Sequence, residues 1–166
     1  MTVLEKFADI EANLFIEGAL RRSATGENFD SIDPATEATL GQIAVATEAE
    51  VEEAVAGANR AQKQWAKENA ASRAEALHEV AHKIRALSPQ MSEALTREMG
   101  KPYKESVDEV EWTAGAFDYY AETARNEAGR VMGANVDGQF HFTLKEPLGT
   151  VVVVATYTNL RSLGLI

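Results

Sequence analysis

The pattern of apolar and polar positions divides the chain into three stretches. In the first stretch, the pattern predicts short strands separated by turns. Turn residues such as Gly, Pro, Asp and Asn mark the ends of short apolar runs between residues 14 and 46. The extended candidates are 14–16, 20–22, 29–32 and 40–46, and the turns are Glu17-Gly18 and residues 33–36. No long helical periodicity interrupts them, so the sequence predicts a small β-rich segment here.

The second stretch, residues 48–128, combines helical spacing with helix-start and helix-stop signals. The start signals are Thr47-x-x-Glu50, Ser72-x-x-Glu75, Ser88-Pro89 and Pro102, and the clearest stop is Gly100. The apolar faces are Val51, Val55, Ala58, Ala61 and Trp65, then Leu77, Val80, Ala81, Ile84 and Leu87, then Val107, Val110, Ala114, Phe117 and Ala121. The sequence therefore predicts four helices with short connections that pack closely together.

The third stretch returns to the period of two that is typical of strands. Two arms, 129–136 and 139–147, flank Asp137-Gly138, which favours a two-residue hairpin turn because both turn positions take positive φ. Residues 150–155 then form a continuous, mostly β-branched run, typical of a strand buried on both faces of a parallel sheet. Such a strand needs parallel neighbours, and the eleven residues after Ala155 are too few to supply one.

Composition and charge exclude several kinds of binding partner and of reactive site. The chain has 166 residues, 45% hydrophobic and 25% charged, and a formal net charge of −10, which disfavours binding to a phosphate backbone. The absence of cysteine excludes a disulfide framework, a thiolate metal site and a cysteine nucleophile. No apolar run is long enough to span a bilayer and no export leader is recognisable, so a cytoplasmic location is expected.

One motif suggests metal chemistry. His78-Glu79-x-x-His82 matches the pattern in which two histidines on one helix face bind Zn²⁺ and the glutamate polarises a metal-bound water. The apolar stripe through Leu77 and Val80 places this motif on the polar side of its helix, and only Glu93 and Glu98 follow as nearby third ligands. A solvated helix face is the favoured interpretation, and a zinc metallopeptidase stays the less favoured alternative.

A series of short phrases along residues 14–155 matters more through its order and spacing than through any one phrase. The phrases are Leu14-Phe15-Ile16-Glu17-Gly18, Ile32-Asp33-Pro34-Ala35-Thr36, Gly41-Gln42-Ile43-Ala44, Glu98-Met99-Gly100-Lys101-Pro102, Phe117-Asp118-Tyr119-Tyr120-Ala121 and Lys145-Glu146-Pro147-Leu148-Gly149-Thr150-Val151. Together they resemble the N-terminal portion of the NAD(P)-dependent aldehyde dehydrogenases.

This resemblance implies an α/β fold that is an incomplete aldehyde-dehydrogenase-like cofactor domain. Residues 1–128 would be the N-terminal part of the cofactor-binding domain, as strands followed by a four-helix cluster. Residues 129–148 would form the oligomerisation hairpin, and 149–166 the first buried strand of the parallel sheet with a divergent tail. The resemblance also implies a homo-oligomer, or association with a full-length relative, through the hairpin at 129–147.

The resemblance also assigns site residues. They are Ser31, Ile32 and Glu98 for a monovalent cation, and Ala155, Thr156 and Tyr157 for the backbone beside NAD or NADP. Thr158 occupies the position of the family's oxyanion-stabilising Asn, and Asn159 comes one residue late. The sequence departs from the family after residue 155, for which a frameshift or a premature stop is one hypothesis.

The family reaction oxidises an aldehyde to a carboxylic acid and needs a cysteine thiolate, which this chain lacks. We therefore expect a fragment or truncated relative of an aldehyde dehydrogenase that is inactive alone and does not bind the dinucleotide tightly. The alternative is a non-catalytic interaction protein that oligomerises through residues 129–147.

Overall fold

The computed structural model describes residues 12–126 and 129–154. The elements in chain order are strands β1 (Leu14–Ile16), β2 (Ala19–Arg21), β3 (Asn28–Ile32) and β4 (Thr39–Ala44), helices α1 (Glu48–Trp65), α2 (Ala70–Ala86), α3 (Ser88–Met99) and α4 (Tyr103–Asn126), and strands β5 (Val131–Met132) and β6 (His141–Phe142). The predicted α/β class and the four helices are confirmed, and of these helices α2, α3 and α4 pack on one another. Within the described ranges, no helix is both long and apolar enough to cross a membrane.

The strands form separate two-stranded antiparallel ribbons, β1–β2, β3–β4 and β5–β6. The β1–β2 turn is the predicted Glu17-Gly18, and both residues have positive φ (51° and 82°), as a two-residue type I′ turn requires. Leu14 and Ile16 of β1 form a buried cluster with Ala44 of β4, against which Ala54 of α1 packs. The β-rich segment is therefore anchored on the first helix.

The start of α1 confirms the predicted capping box. The Glu50 backbone N–H donates to Thr47 Oγ1 (3.3 Å), and the Glu50 carboxylate accepts from the Thr47 N–H (2.8 Å). The same carboxylate accepts from the Ala24 N–H (2.8 Å) and the Ser23 hydroxyl (3.1 Å), so it also holds the loop after β2. These hydrogen bonds, the Thr47 N–H first, lower the pKa of Glu50 from 4.5 to about 2.

The second predicted capping box is wrong. Helix α2 begins at Ala70, and its N-cap is Asn69, whose Oδ1 accepts from the Ser72 N–H (2.9 Å). Asn is as good an N-cap as Ser, and a cap three residues earlier lengthens the helix by most of a turn.

The predicted helix stop at Gly100 is confirmed, since this residue ends α3 in the left-handed conformation with φ 71°.

Helices α2 and α4 form the most extensive helix pair. Alanines line their buried faces, all fully inaccessible to solvent: Ala74, Ala81, Ala114 and Ala121. Because an alanine side chain is small, the two backbones can approach closely. Helix α3 joins the pair through a hydrogen bond between the hydroxyls of Thr96 and Ser106 (2.8 Å).

The helices differ in whether their predicted apolar faces are buried. The face of α4 through Val110 and Ala114 is buried as expected. The face of α1 through Val51 and Trp65 is exposed, and this helix buries Glu50 and Gly57 instead. The prediction that all four helices pack closely together is therefore wrong for α1, whose Val51 and Trp65 side chains are 52% and 45% exposed.

The predicted two-residue hairpin is also wrong in its detail. Strands β5 and β6 pair over only two residues each, Val131 with Phe142 and Met132 with His141. Asp137-Gly138 do form a turn, closed by a hydrogen bond from the Gln139 N–H to the Val136 carbonyl (3.2 Å). Only Gly138 has positive φ (78°), so the turn lies within an eight-residue connection rather than joining the strands directly.

Residues 151–154 do not form the buried strand that their composition predicts. They have no strand partner among the described residues, and the valine side chains are 66–80% exposed. A β-branched run acquires a buried strand's environment only from neighbouring strands, and the described ranges contain none for this segment.

Candidate functional site

His78 of the zinc-like motif contacts helix α4, while its side chain remains 35% exposed. Its Nδ1 lies 2.7 Å from Asp118 Oδ1, and its Nε2 lies 2.8 Å from Glu122 Oε1. His82, one turn further along α2, is exposed. The motif therefore lies on a largely exposed helix face, as expected, and the His78 ring also reaches carboxylates on the neighbouring helix.

The ring contacts fix the chemistry of His78. Hydrogen bonding to Asp118, and then to Glu122, raises the pKa of His78 above its usual value. Hydrogen bonding to His78, and then to Arg85, lowers the pKa of Asp118. The arrangement favours an imidazolium that donates from both nitrogens, whereas a zinc ligand must offer a nitrogen lone pair. Within residues 12–126 and 129–154, no group of three or more His, Asp or Glu side chains is arranged to hold a metal ion.

The His78 contacts belong to a line of ion pairs between α2 and α4. Arg85 donates from Nε to Glu111 (2.9 Å) and from Nη1 to Asp118 (2.7 Å). Further along the pair, Arg125 of α4 donates to Glu75 of α2 (2.8 Å). Asp118 thus accepts from both His78 and Arg85, and the helices are joined by polar contacts beside their alanine interface.

The structure brings together the two segments that carry the proposed cation residues. Ser31 and Ile32 end β3, and Glu98 lies in the last turn of α3. The loop that follows β3 lies against the end of α3: Asp33 Oδ2 lies 3.8 Å from Arg97 Nε. A Cβ on Gly100 would lie 2.9 Å from Pro34 Cγ, so the helix end and the loop are in close contact. Ser31 and Glu98 are half-buried, and Ile32 is exposed.

Residues Ala155, Thr156 and Tyr157, assigned to the dinucleotide, and Thr158 at the oxyanion position lie outside the described residues. The described chain ends at Val154, so the structure leaves these assignments as predictions.

An open cleft that sequence reasoning missed lies beside the segment leading to these positions. Its volume is about 760 Å³. The lining residues are Ala58, Ala61, Gln62, Gln64, Trp65, Glu68, Ser72 and Thr150. The sequence indicated this cleft only through the apolar face of α1, whose second half lines it. The sequence could not indicate that Thr150 would line the same cleft. Thr150 Oγ1 is inaccessible to solvent and makes no hydrogen bond to any described residue.

Apolar side chains also cover the hairpin region. The exposed residues are Val131, Met132, Val136, Phe140, Phe142 and Leu144. The rings of Phe140 and Phe142 lie near each other, with centroids 5.6 Å apart. Contiguous exposed apolar surface of this kind is typical of a surface that another polypeptide covers.

Comparisons with known proteins agree with this arrangement. Residues 21–159 match the Aldehyde dehydrogenase family. The chain is 32% identical over 152 residues both to betaine aldehyde dehydrogenase 1 of Oryza sativa subsp. japonica and to aminoaldehyde dehydrogenase 2 of Zea mays. Each match covers 87% of this chain and 30% of the relative.

Among solved structures, the fold is similar to that of betaine aldehyde dehydrogenase from Staphylococcus aureus in complex with NAD⁺, with a TM-score of 0.80 at 23% identity. That likeness covers 87% of this chain and 29% of the solved chain. The chain thus spans about 30% of the length of the curated relatives that it matches.

Proposed function

The chain belongs to the aldehyde dehydrogenase family, and from that premise we propose that it contributes the N-terminal part of a dehydrogenase cofactor domain and does not oxidise aldehydes by itself. The complete family reaction is the NAD(P)-dependent oxidation of an aldehyde to a carboxylic acid. Attack on the aldehyde carbonyl needs a thiolate, and this chain contains no cysteine. A location in the cytoplasm is part of the same proposal.

The exposed run Val151–Val154 carries this proposal. Four consecutive β-branched residues that are 66–80% exposed are typical of a sheet strand that awaits neighbouring strands. The open cleft supports the same proposal, because Thr150, which directly precedes the valine run, lines it together with the apolar residues Ala58, Ala61 and Trp65 of α1. We infer that further polypeptide of a dehydrogenase covers these surfaces.

An activity assay on the isolated 166-residue polypeptide tests the proposal. The purified chain is incubated with betaine aldehyde and either NAD⁺ or NADP⁺, and formation of the reduced dinucleotide is followed by absorbance. We expect no rate above the blank without protein, while a full-length relative assayed in parallel turns over. Turnover by the isolated chain would contradict the proposal.

A second candidate function is association through residues 129–147, either with a second copy or with a full-length relative. The exposed side chains of Val131, Phe140 and Leu144 favour it, since two-stranded ribbons also leave unpaired edges. Light scattering with size exclusion tests it: Phe140→Asp should weaken association, and Trp112→Asp, at an exposed aromatic residue on α4, should not. A monomer without affinity for a full-length relative would exclude this function.

The cofactor and cation assignments complete the proposal. NAD or NADP would be the cofactor of the complete dehydrogenase, with backbone at 155–157 beside it. The backbone oxygens of Ser31 and Ile32 and the carboxylate of Glu98 are oxygen donors of the kind that alkali cations prefer. The close approach of the loop after β3 to the end of α3 supports this grouping.

A further inference from the structure

The polar contacts between α2 and α4 contain one group that titrates near neutral pH, and it lies between two carboxylates. We propose that His78 is a pH-dependent cross-link between α2 and α4 that holds the last turns of α4, and with them the start of the 129–147 hairpin, in place. This property goes beyond the proposed function, because it concerns how the helix pair responds to pH and not what covers the exposed surfaces.

The geometry requires the protonated ring. Asp118 and Glu122 are four residues apart, so both carboxylates lie on the same face of α4. They lie within hydrogen-bond distance of Nδ1 (2.7 Å) and Nε2 (2.8 Å) of the same ring. A neutral imidazole has a single N–H, so it can donate to only one of the two carboxylates. Loss of the proton therefore removes one of the two contacts.

The neighbouring groups decide which contact is lost. Asp118 also accepts from Arg85 Nη1 (2.7 Å), and its side chain is 34% exposed, whereas that of Glu122 is 58% exposed. A neutral ring that keeps its proton on Nδ1 still donates to the less exposed carboxylate. Its Nε2 then presents a lone pair to the ionised Glu122, and that contact becomes repulsive. Deprotonation thus releases Glu122 in preference to Asp118.

Helices α3 and α4 both pack on α2 and carry further charged groups. Those of α2 are Arg73, Glu75, Glu79, His82, Lys83 and Arg85, and the groups of α4 that pair with them are Glu111 and Arg125. Helix α3 carries Glu93, Arg97 and Glu98, of which Arg97 lies towards Asp33 of the loop after β3. Glu79 pairs with Lys83 and Arg125 with Glu75, so the carboxylates that meet the imidazole are those of Asp118 and Glu122.

The sign of the pH dependence follows from the direction of the shift. The two carboxylates raise the pKa of His78 above 6.5, so its stabilising contribution is fully present below that pH. This stabilising contribution is lost as the pH rises through the raised pKa of His78. The pKa of Asp118 is lowered, so Asp118 stays ionised throughout this range. The cross-link therefore weakens as the pH rises above the usual pKa of a histidine.

The position of the contact gives it a structural consequence. Glu122 lies one turn before the end of α4 at Asn126, and the hairpin stretch begins at Gly129. When Glu122 is released, the last turn of α4 is held to α2 by the exposed ion pair between Arg125 and Glu75. Exposed ion pairs contribute little on their own. The start of the hairpin should therefore become less ordered as the pH rises.

Hydrogen exchange on the full chain tests this inference. Exchange of the amides of residues 119–126 is compared at about pH 6 and about pH 9, after correction for the intrinsic rate. This pH range brackets the titration of a histidine with a raised pKa. In the wild type we expect the opening equilibrium of this segment to increase about two- to five-fold, the range for an exposed ion pair.

Two variants distinguish the loss of the His78 cross-link from a general loss of stability at alkaline pH. Glu122→Gln should reduce the pH dependence, because an amide can accept from the imidazolium and donate to the neutral ring, so that only Asp118 still favours the protonated ring. His82→Gln, at the exposed histidine on the same helix, should keep the wild-type profile. Equal pH dependence in wild type and Glu122→Gln would overturn the inference.

A titration of the histidine ring resonances by NMR on the wild-type chain gives an independent result. His78 should titrate above the usual value near 6.5, and its transition should coincide with the change in exchange. Titration of His78 at or below that value would overturn the inference even if a variant failed to fold.

Discussion

At the scale of single residues, Glu50 shows how one carboxylate can join two elements. It accepts the N–H groups of Thr47 and Ala24 and the hydroxyl of Ser23, and it thereby ties the loop after β2 to the start of α1. Its pKa is lowered to about 2, so its stabilising contribution is complete above about 4.5 and is lost as the pH falls towards 2.

Glu50→Gln should therefore lower the Tm at pH 7, and the difference from wild type should shrink as the pH falls from about 5 to about 2. Thermal unfolding followed by circular dichroism across this range measures the effect. Glu52→Gln, at an exposed residue of the same helix, serves as the control and should leave the profile unchanged. A difference from wild type that is independent of pH would show that the carboxylate charge is not the cause.

Gly100 is a second residue whose role follows from its conformation. It has φ 71°, which disfavours any residue with a Cβ, and an added Cβ would lie 2.9 Å from Pro34 Cγ. Gly100→Ala should lower the free energy of unfolding by about 1–2 kcal/mol, as measured by urea denaturation. Gly115→Ala is the matched control: its Cβ would meet nothing within 4 Å, so this helical substitution should stabilise by about 0.4–1 kcal/mol.

At the scale of elements, the pairing of α2 with α4 depends on small side chains. Ala81 and Ala114 are fully inaccessible to solvent, so neither position has room for a longer side chain. Ala81→Leu should cost about 1–3 kcal/mol, because the helices would have to move apart or adopt strained rotamers. Ala86→Leu, at an exposed position of the same helix, should change the stability by less than about 0.5 kcal/mol in the same denaturation experiment.

The hairpin shows the limits of a local turn signal at this scale. Asp137-Gly138 form a turn as the sequence indicates, but the strands that they were expected to join pair only at Val131–Met132 and His141–Phe142. The pairing continues beyond the strands at Arg130 and Thr143, where the Thr143 N–H donates to the Arg130 carbonyl (2.9 Å) and the Arg130 N–H donates to Thr143 Oγ1 (3.0 Å). A dipeptide can predict a turn, but the register depends on the contacts of the strand ends.

At the scale of the whole molecule, large apolar side chains are exposed on several elements, among them a continuous run of four valines. Val151–Val154, the exposed face of α1 and the hairpin all carry such side chains, and exposed apolar surface is typical of contacts with another polypeptide. The molecule should therefore self-associate at high concentration unless further polypeptide covers these surfaces.

Val152→Lys combined with Val154→Lys should reduce that self-association, because two charges oppose strand pairing at the edge. Sedimentation velocity at increasing protein concentration measures the change. Val80→Lys, at an exposed valine of α2, is the control for added charge and should have the smaller effect. An equal reduction in all variants would assign the effect to net charge and not to the valine run.

The sequence by itself determined the features that depend on neighbouring residues. The capping box at Thr47 and Glu50, the turn at Glu17-Gly18, the helix stop at Gly100 and the order of the family's phrases involve residues close in sequence, so local rules suffice to predict them. Only the tertiary structure decided which apolar faces are covered and that His78 meets Asp118 and Glu122. Burial and ion pairing depend on groups distant in sequence, as for His78 and its two partners, which are 40 and 44 residues away, and a periodic pattern specifies a face but not its partner.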